Sequence, residues 1–178
     1  MLPLVVALLS LGPVQDPPAA RAAATVRSLP AFAAVATPNR QTELTVRWTV
    51  AAAPPGTLTA PRALPEVNRF EVVRRSVITG ALPRERDPQI GPDELVVVAV
   101  DAQGREVAWH HVKDPRIVRS EQPGPGGLLS GQVLHRTEAE LVLLVPESLG
   151  ATSLRVYEPQ ADGREPSLRG LGTIAITR

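Results

Sequence analysis

The sequence contains three histidines, His110, His111 and His135, the residue type that most often binds a metal ion or acts as a general base. His110 and His111 are neighbours in a segment with strand periodicity, so their side chains are expected on opposite faces of a sheet and cannot bind one metal ion together. No HExxH spacing is present either. We therefore predict no metal site, and we interpret His111 as a partly buried, hydrogen-bonded side chain beside Trp109.

The other polar residues do not mark an active site. Lys113 is the sole lysine and follows no GxxxxGK[ST] loop, and the sequence contains no cysteine, no GxSxG and no complete GxGxxG. We therefore assign no catalytic, cofactor-binding or metal-binding residue and predict a protein that is not an enzyme. One alternative stays open: a small hydrolase or carbohydrate-active domain whose acids are Glu138 and Glu140 beside His135.

Composition narrows the class of protein further. The chain has 178 residues, of which 43% are apolar, a net charge of +1 and 19 prolines. The apolar fraction is sufficient for one buried core, whereas the near-zero charge provides no field that would attract nucleic acid. Because proline interrupts helices, we predict a globular domain without long helices. Because the net charge is close to zero, we predict that the domain binds no nucleic acid.

The first eleven residues, MLPLVVALLSL, form an apolar run that is too short to span a bilayer and has the length of a signal-peptide core. Proline and alanine dominate residues 16–24, which we interpret as a tether. We predict a signal peptide and tether over 1–24, one domain over 25–178, and an exported, periplasmic or extracellular location. The alternative is that the apolar run is a buried strand. No later apolar run reaches 18 residues, so we expect no integral membrane protein.

Short segments with two-residue periodicity or β-branched composition recur along the domain. We predict strands at 43–50, 67–78, 95–100, 105–112, 128–134, 141–145, 153–157 and 171–177. This pattern is typical of an all-β, antiparallel β-sandwich, which we predict to be immunoglobulin-like, with a small closed β-barrel as the alternative. Trp48 is expected in the core, a β-bulge near Val73, and Gly104 in a left-handed hairpin turn.

Two of the predicted strands, 95–100 and 141–145, are apolar on both faces, although one face of a sandwich sheet usually meets water. Either loops cover their outer faces, or a partner protein docks on the sheet face formed by 95–112 and 141–157. A further hypothesis is an envelope-assembly subunit that pairs through an exposed edge strand near 128–134.

Residues 93–118, DELVVVAVDAQGREVAWHHVKDPRIV, contain a strand, a D-x-x-G turn and a return strand. Residues 137–159, TEAELVLLVPESLGATSLRVYEP, add an apolar strand that ends in proline. In this order of elements the chain resembles the immunoglobulin-like domain that precedes the catalytic domain in M64-like secreted bacterial metallopeptidases. The resemblance implies a fold and an accessory role, and it assigns no functional residue. The apolar N-terminal run, the strand pattern and the lack of a catalytic motif lead us to expect an exported, non-catalytic binding or accessory protein of the bacterial cell envelope or secretome.

Overall fold

The computed structural model describes residues 17–36, 40–52, 66–82, 90–123, 129–160 and 167–176. The predicted signal-peptide core over 1–11 lies outside the described residues. Within the described part of the chain, no helix is long and apolar enough to cross a membrane.

The described residues form ten strands, two short helices and one 3₁₀ turn over Glu147–Leu149. The strands are β1 (Arg21–Ala22), β2 (Arg40–Ala52), β3 (Glu66–Thr79), β4 (Glu94–Val100), β5 (Glu106–Lys113), β6 (Ile117–Pro123), β7 (Leu129–His135), β8 (Glu138–Pro146), β9 (Ser153–Gln160) and β10 (Ser167–Ala175). The helices are α1 (Ala23–Arg27) and α2 (Phe32–Val35). Neighbouring strands pair antiparallel in all three sheets, which confirms the predicted antiparallel all-β class.

Two of these sheets enclose the main core. A five-stranded sheet has the order β1-β10-β9-β4-β5, and a three-stranded sheet has the order β3-β2-β8. Alternate residues of each strand point inwards, so the buried side chains include Trp48 from one sheet and Val97 from the other. The predicted burial of Trp48 is therefore confirmed. The third sheet consists of β6 and β7 alone, and we call it the ribbon.

The two larger sheets approach each other on one side, which gives the sandwich the shape of a half-barrel. On that side β10 lies against β3, and Gly172 leaves room for the ring of Phe70. On the other side Phe32 of α2 is buried in the main core, between β5 and β8. Its ring stacks on His110 with a centroid distance of 5.6 Å. The described strands therefore do not close into one barrel.

The contact between Gly172 and Phe70 allows a test of this packing. A Cβ at position 172 would lie 2.7 Å from a ring carbon of Phe70, closer than nonbonded carbons allow. Gly172→Ala is therefore expected to lower the free energy of unfolding by about 1–3 kcal/mol. The control is Gly131→Ala, at a strand glycine with open space around it. Urea unfolding followed by tryptophan fluorescence measures both, and an unchanged Gly172→Ala protein would contradict the packing.

The N-terminal segment covers the outer face of the five-stranded sheet. Val26 of α1 is fully buried against Val96, Val98 and Trp109, which lie on the face of the sheet opposite the main core. The Trp109 backbone N–H donates to the Pro30 carbonyl, and its indole N–H donates to the Leu29 carbonyl. This second core explains why both faces of the strand predicted at 95–100 are apolar.

Two expectations about surfaces are therefore corrected. Residues 95–112 and 141–157 do not form one sheet face, because β8 belongs to the three-stranded sheet whereas β4, β5 and β9 belong to the other. The outer face of β4 is buried by the chain's own residues and is closed to a partner.

Arg21–Ala22, within the predicted tether, pairs with β10, and Ala23 is buried, so this part of the tether packs on the domain.

Local turn and bulge predictions agree with the structure. Gly104 has a φ of 77°, as the predicted hairpin between β4 and β5 requires. Val73 is the extra residue of a bulge, because Thr45 pairs with Arg74 and Val46 pairs with Val72.

Candidate functional site

None of the ribbon side chains that the structure describes is buried. Its two strands pair with each other, and among the described strands neither pairs with a third. Val133 is 49% exposed and the adjacent Leu134 is 46% exposed. Since neighbouring strand residues point to opposite faces, the ribbon presents an apolar side chain on each face. A two-stranded ribbon has no core of its own, so these exposed side chains make the ribbon a candidate binding surface.

The hydrogen-bonding pattern between β6 and β7 identifies which backbone N–H and C=O groups point to the outer edges of the ribbon and can bond to another strand. At its base the Arg136 N–H donates to the Arg116 carbonyl, in register with the pairing of Ile117 and His135. Opposite residues of an antiparallel ladder alternate between bonded and non-bonded pairs. The even-numbered residues of β6 and β7 therefore bond within the ribbon, and the odd-numbered residues direct their N–H and C=O groups to its outer edges.

The two outer edges differ in chemistry. On β7 the outward backbone groups of Gly131 and Val133 lie in a stretch, 129–134, that contains no charged residue and no proline. On β6 the outward groups belong to a stretch with Arg119, Glu121 and a terminal Pro123. Charges and proline protect an edge against pairing with strands that do not carry complementary charges. The β7 edge is thus the less protected of the two.

A second candidate lies where the chain leaves β5 and enters the ribbon. Asp114 and Pro115 end the β5 ladder, and the Asp114 carboxylate accepts the Arg116 backbone N–H at 2.8 Å. This turn directs the Arg116 side chain back over the core. Its guanidinium carbon lies 3.8 Å from the centroid of the Trp48 ring, and only 3% of the residue is exposed.

Carboxylates on two elements neutralise this buried cation. Arg116 donates to Asp114 at 2.7 Å and to Glu158 of β9 at 3.0 Å, and Glu158 also accepts from Arg169 of β10 at 2.6 Å. Burial lowers the pKa of Arg116, but the hydrogen bonds and charges of Asp114 and Glu158 outweigh it, so its pKa is raised above the usual value. The guanidinium therefore stays charged and is held rigidly.

The cavity beside Arg116 has a volume of about 300 Å³. Its lining residues are Val50, Arg116, His135, Arg136, Thr137, Glu158 and Arg169. Both oxygens of the Glu158 carboxylate accept hydrogen bonds from guanidinium groups, one from Arg116 and the other from Arg169. With Thr137 as its one hydroxyl, this lining fits a structural ion-pair cluster better than a catalytic site.

The rings of His110 and His111 meet edge to face with their centroids 5.7 Å apart, but their other contacts differ, since His110 stacks on Phe32. His111 Nδ1 lies 3.0 Å from a Glu94 carboxylate oxygen, and its ring lies 6.0 Å from Trp109, which confirms the predicted hydrogen-bonded environment. Burial raises the pKa of Glu94, but the Gly91 N–H and His111 outweigh it, and the net pKa is lowered. In the described residues, no three carboxylate or histidine side chains are placed to share a metal ion.

The residues required by the hydrolase hypothesis do not form a cleft. Glu138 and Glu140 lie on the outer face of β8, and both are exposed, as is His135 at the end of β7. Glu138 contacts Arg47 of β2 at 3.6 Å across this outer face. The two acids therefore face solvent rather than each other across a pocket, and we do not pursue this hypothesis.

A wider cavity of about 700 Å³ lies where residues 18–21 cross the five-stranded sheet. Glu106 is at its wall, where it binds Arg21 of the N-terminal segment and Arg155 of β9, the latter at 2.7 Å. Burial raises the pKa of Glu106, but hydrogen bonds from the two arginines outweigh it and hold the pKa below its ordinary value of 4.5. This ion pair helps to fasten the N-terminal segment to the sheet.

The lowered pKa of Glu106 predicts a pH dependence of stability. The carboxylate contributes stability above about pH 4.5, its ordinary pKa, and this contribution is lost as the pH falls through the lower pKa of the folded state. Glu106→Gln is expected to lower the free energy of unfolding by about 1–2 kcal/mol at pH 7, because it removes charge-assisted hydrogen bonds. This loss should become progressively smaller towards pH 3. Urea unfolding across this range tests it, with Glu140→Gln on the exposed face of β8 as the control. A cost that does not change with pH would contradict the ionic role.

Sequence reasoning missed Arg116, although one signal for it was present. The dipeptide Asp114-Pro115 predicts a turn, and a turn can return the next side chain towards the core. What the sequence does not reveal is that Trp48, at the far end of a different strand pair, lies beneath that side chain.

No protein-family model, curated protein or solved structure matches the chain. What the protein does is therefore inferred from its own residues and their geometry.

Proposed function

We propose that the chain is an exported, non-catalytic binding protein that engages a partner protein through its ribbon. The observation that carries this proposal is the exposed, unprotected edge of β7. There the outward backbone groups of Gly131 and Val133 have no strand beside them among the described residues. In this binding mode an extended segment of the partner adds to β7 as a further strand.

The chemistry of the edge supports a protein strand as the occupant. Backbone hydrogen bonds along Gly131 and Val133 would provide affinity, and the apolar Val133 and Leu134 would contact alternate side chains of the added strand. The absence of charge and proline from 129–134 means that nothing on this strand repels an incoming backbone.

The proposal also includes the finer features expected from the sequence. The fold is then an immunoglobulin-like variant, supported by two antiparallel sheets that share one core. Export is supported by the apolar run over 1–11, and an accessory role in the bacterial envelope or secretome by the resemblance carried by 93–159.

Site-specific photo-crosslinking tests where the partner binds. A photoreactive residue at Val133 is expected to capture a partner from the exported protein fraction. The same residue at Val142, which is 54% exposed on the outer face of β8, is the matched control and should capture none.

The captured protein must then be purified and its binding measured with two variants. Val133→Pro removes the outward N–H without breaking a bond inside the ribbon, and it is expected to weaken binding at least about tenfold. Val133→Thr keeps that N–H and should retain most of the affinity. Equal binding by wild type and Val133→Pro, or capture from Val142 alone, would overturn the proposal.

A further inference from the structure

The other edge of the ribbon has a charge pattern that is complementary to itself. In β6, Arg119 and Glu121 flank Ser120, and both direct their backbone groups outwards, away from β7. Since they are two residues apart, their side chains lie on the same face. If a second β6 strand pairs antiparallel with the first and Ser120 lies opposite Ser120, Arg119 of each chain lies opposite Glu121 of the other.

From this pattern we infer that the chain forms a two-fold symmetric dimer through β6. The partner is a second copy, because the same segment supplies the cation and the anion that the pairing needs. Each Arg119–Glu121 pair exchanges two backbone hydrogen bonds, and the opposite charges lie directly across from each other. The product is a four-stranded sheet with the order β7-β6-β6-β7.

Residues at both ends of β6 restrict this register. Pro123 has no N–H to donate, and the Ile117 N–H already donates to the Asp114 carbonyl at 3.3 Å. Pairing is therefore favoured at the two central pairs and not at the ends. Arg119 also binds Asp93, but a guanidinium has five N–H donors and can bind a second carboxylate.

The dimer does not depend on the proposed binding of a partner at β7. It uses the opposite edge of the ribbon and leaves both β7 strands at the outside of the four-stranded sheet. Loss of one interaction is therefore expected without loss of the other, and the two are measured separately.

Charge reversal tests the dimer through sedimentation equilibrium up to about 1 mM protein, a range that detects a dimer Kd as weak as about 1 mM. Arg119→Glu and Glu121→Arg each place like charges opposite one another and are expected to raise the dimer Kd at least about tenfold. The double variant, and an equimolar mixture of the two single variants, restore both pairs and should restore association. Arg47→Glu, on the outer face of β2, is the control and should leave the Kd unchanged.

Amide hydrogen exchange provides a second readout. Exchange at Arg119 and Glu121 should slow as the protein concentration rises, whereas exchange at Gly131 and Val133 should not. A wild-type protein that stays monomeric at about 1 mM would overturn the inference. So would a double variant that associates no better than the single variants while unfolding at the same urea concentration as the wild type.

Discussion

Replacing Arg116 with methionine is expected to lower the free energy of unfolding by about 3–5 kcal/mol. Methionine retains much of the apolar stem over Trp48, but it removes the positive charge that neutralises Asp114 and that shares the neutralisation of Glu158 with Arg169. Asp114 is buried, so in this variant its carboxylate keeps the backbone N–H of residue 116 but loses its ion pair. This loss costs free energy, and chemical unfolding at pH 7 measures it.

Two variants separate the buried charge from other effects of this substitution. Arg47→Met removes an arginine whose ion pairs with Glu71 and Glu138 are exposed, and should cost about 0–1 kcal/mol. Adding Asp114→Asn to Arg116→Met removes the unpaired charge as well, so the double variant should be more stable than Arg116→Met alone. If Arg116→Met cost no more than Arg47→Met, the buried ion pairs would not stabilise the end of the sandwich.

Val26→Asp is expected to lower the free energy of unfolding by about 3 kcal/mol, because it combines lost apolar burial with a buried carboxylate. Val26 has no exposed surface and packs on the second core around Trp109. If α1 is forced off the sheet, Val96 and Val98 become exposed, so binding of a hydrophobic dye should increase at the same time.

The matched control for this variant is Thr25→Asp, one residue earlier in α1. Thr25 is exposed, so the same charge at this position should change stability by less than about 0.5 kcal/mol. Equal stability of the two variants, without dye binding, would show that α1 does not cover the sheet.

The features that the sequence predicted well are those that depend on near neighbours. Alternation over 43–50 predicts a strand with Trp48 inside, and a shift in that alternation predicts the bulge at Val73. The turn at Gly104 follows from residue types that tolerate positive φ. In each case the deciding interactions lie within a few residues along the chain.

The features that the sequence did not predict depend on contacts between distant segments. The helix α1 is five residues long and rich in alanine, so its pattern is too short to be distinguished from a tether. Its burial requires the apolar outer face of β4, which lies about seventy residues further along the chain. Similarly, the sequence does not reveal the bulge in β5, which pairs Val100 with Glu106 and Ala99 with Ala108 and places Val107 against the main core.

The candidate site was predicted in part. An edge strand near 128–134 was anticipated as one of several hypotheses, and β7 occupies that position. Its separation from the other sheets could not be anticipated, because periodicity identifies a strand without identifying its neighbours. The assignment of 95–112 and 141–157 to one sheet was wrong for the same reason.

The most direct measurement of the proposed function is amide hydrogen exchange in the ribbon, without and with the captured partner protein. In the isolated protein the amides of Gly131 and Val133 should exchange rapidly, whereas those of Ser120 and Leu134, which bond within the ribbon, should exchange slowly. Adding the partner should slow exchange at Gly131 and Val133. Slow exchange at these two amides in the isolated protein, or unchanged fast exchange in the complex, would contradict binding by strand addition at β7.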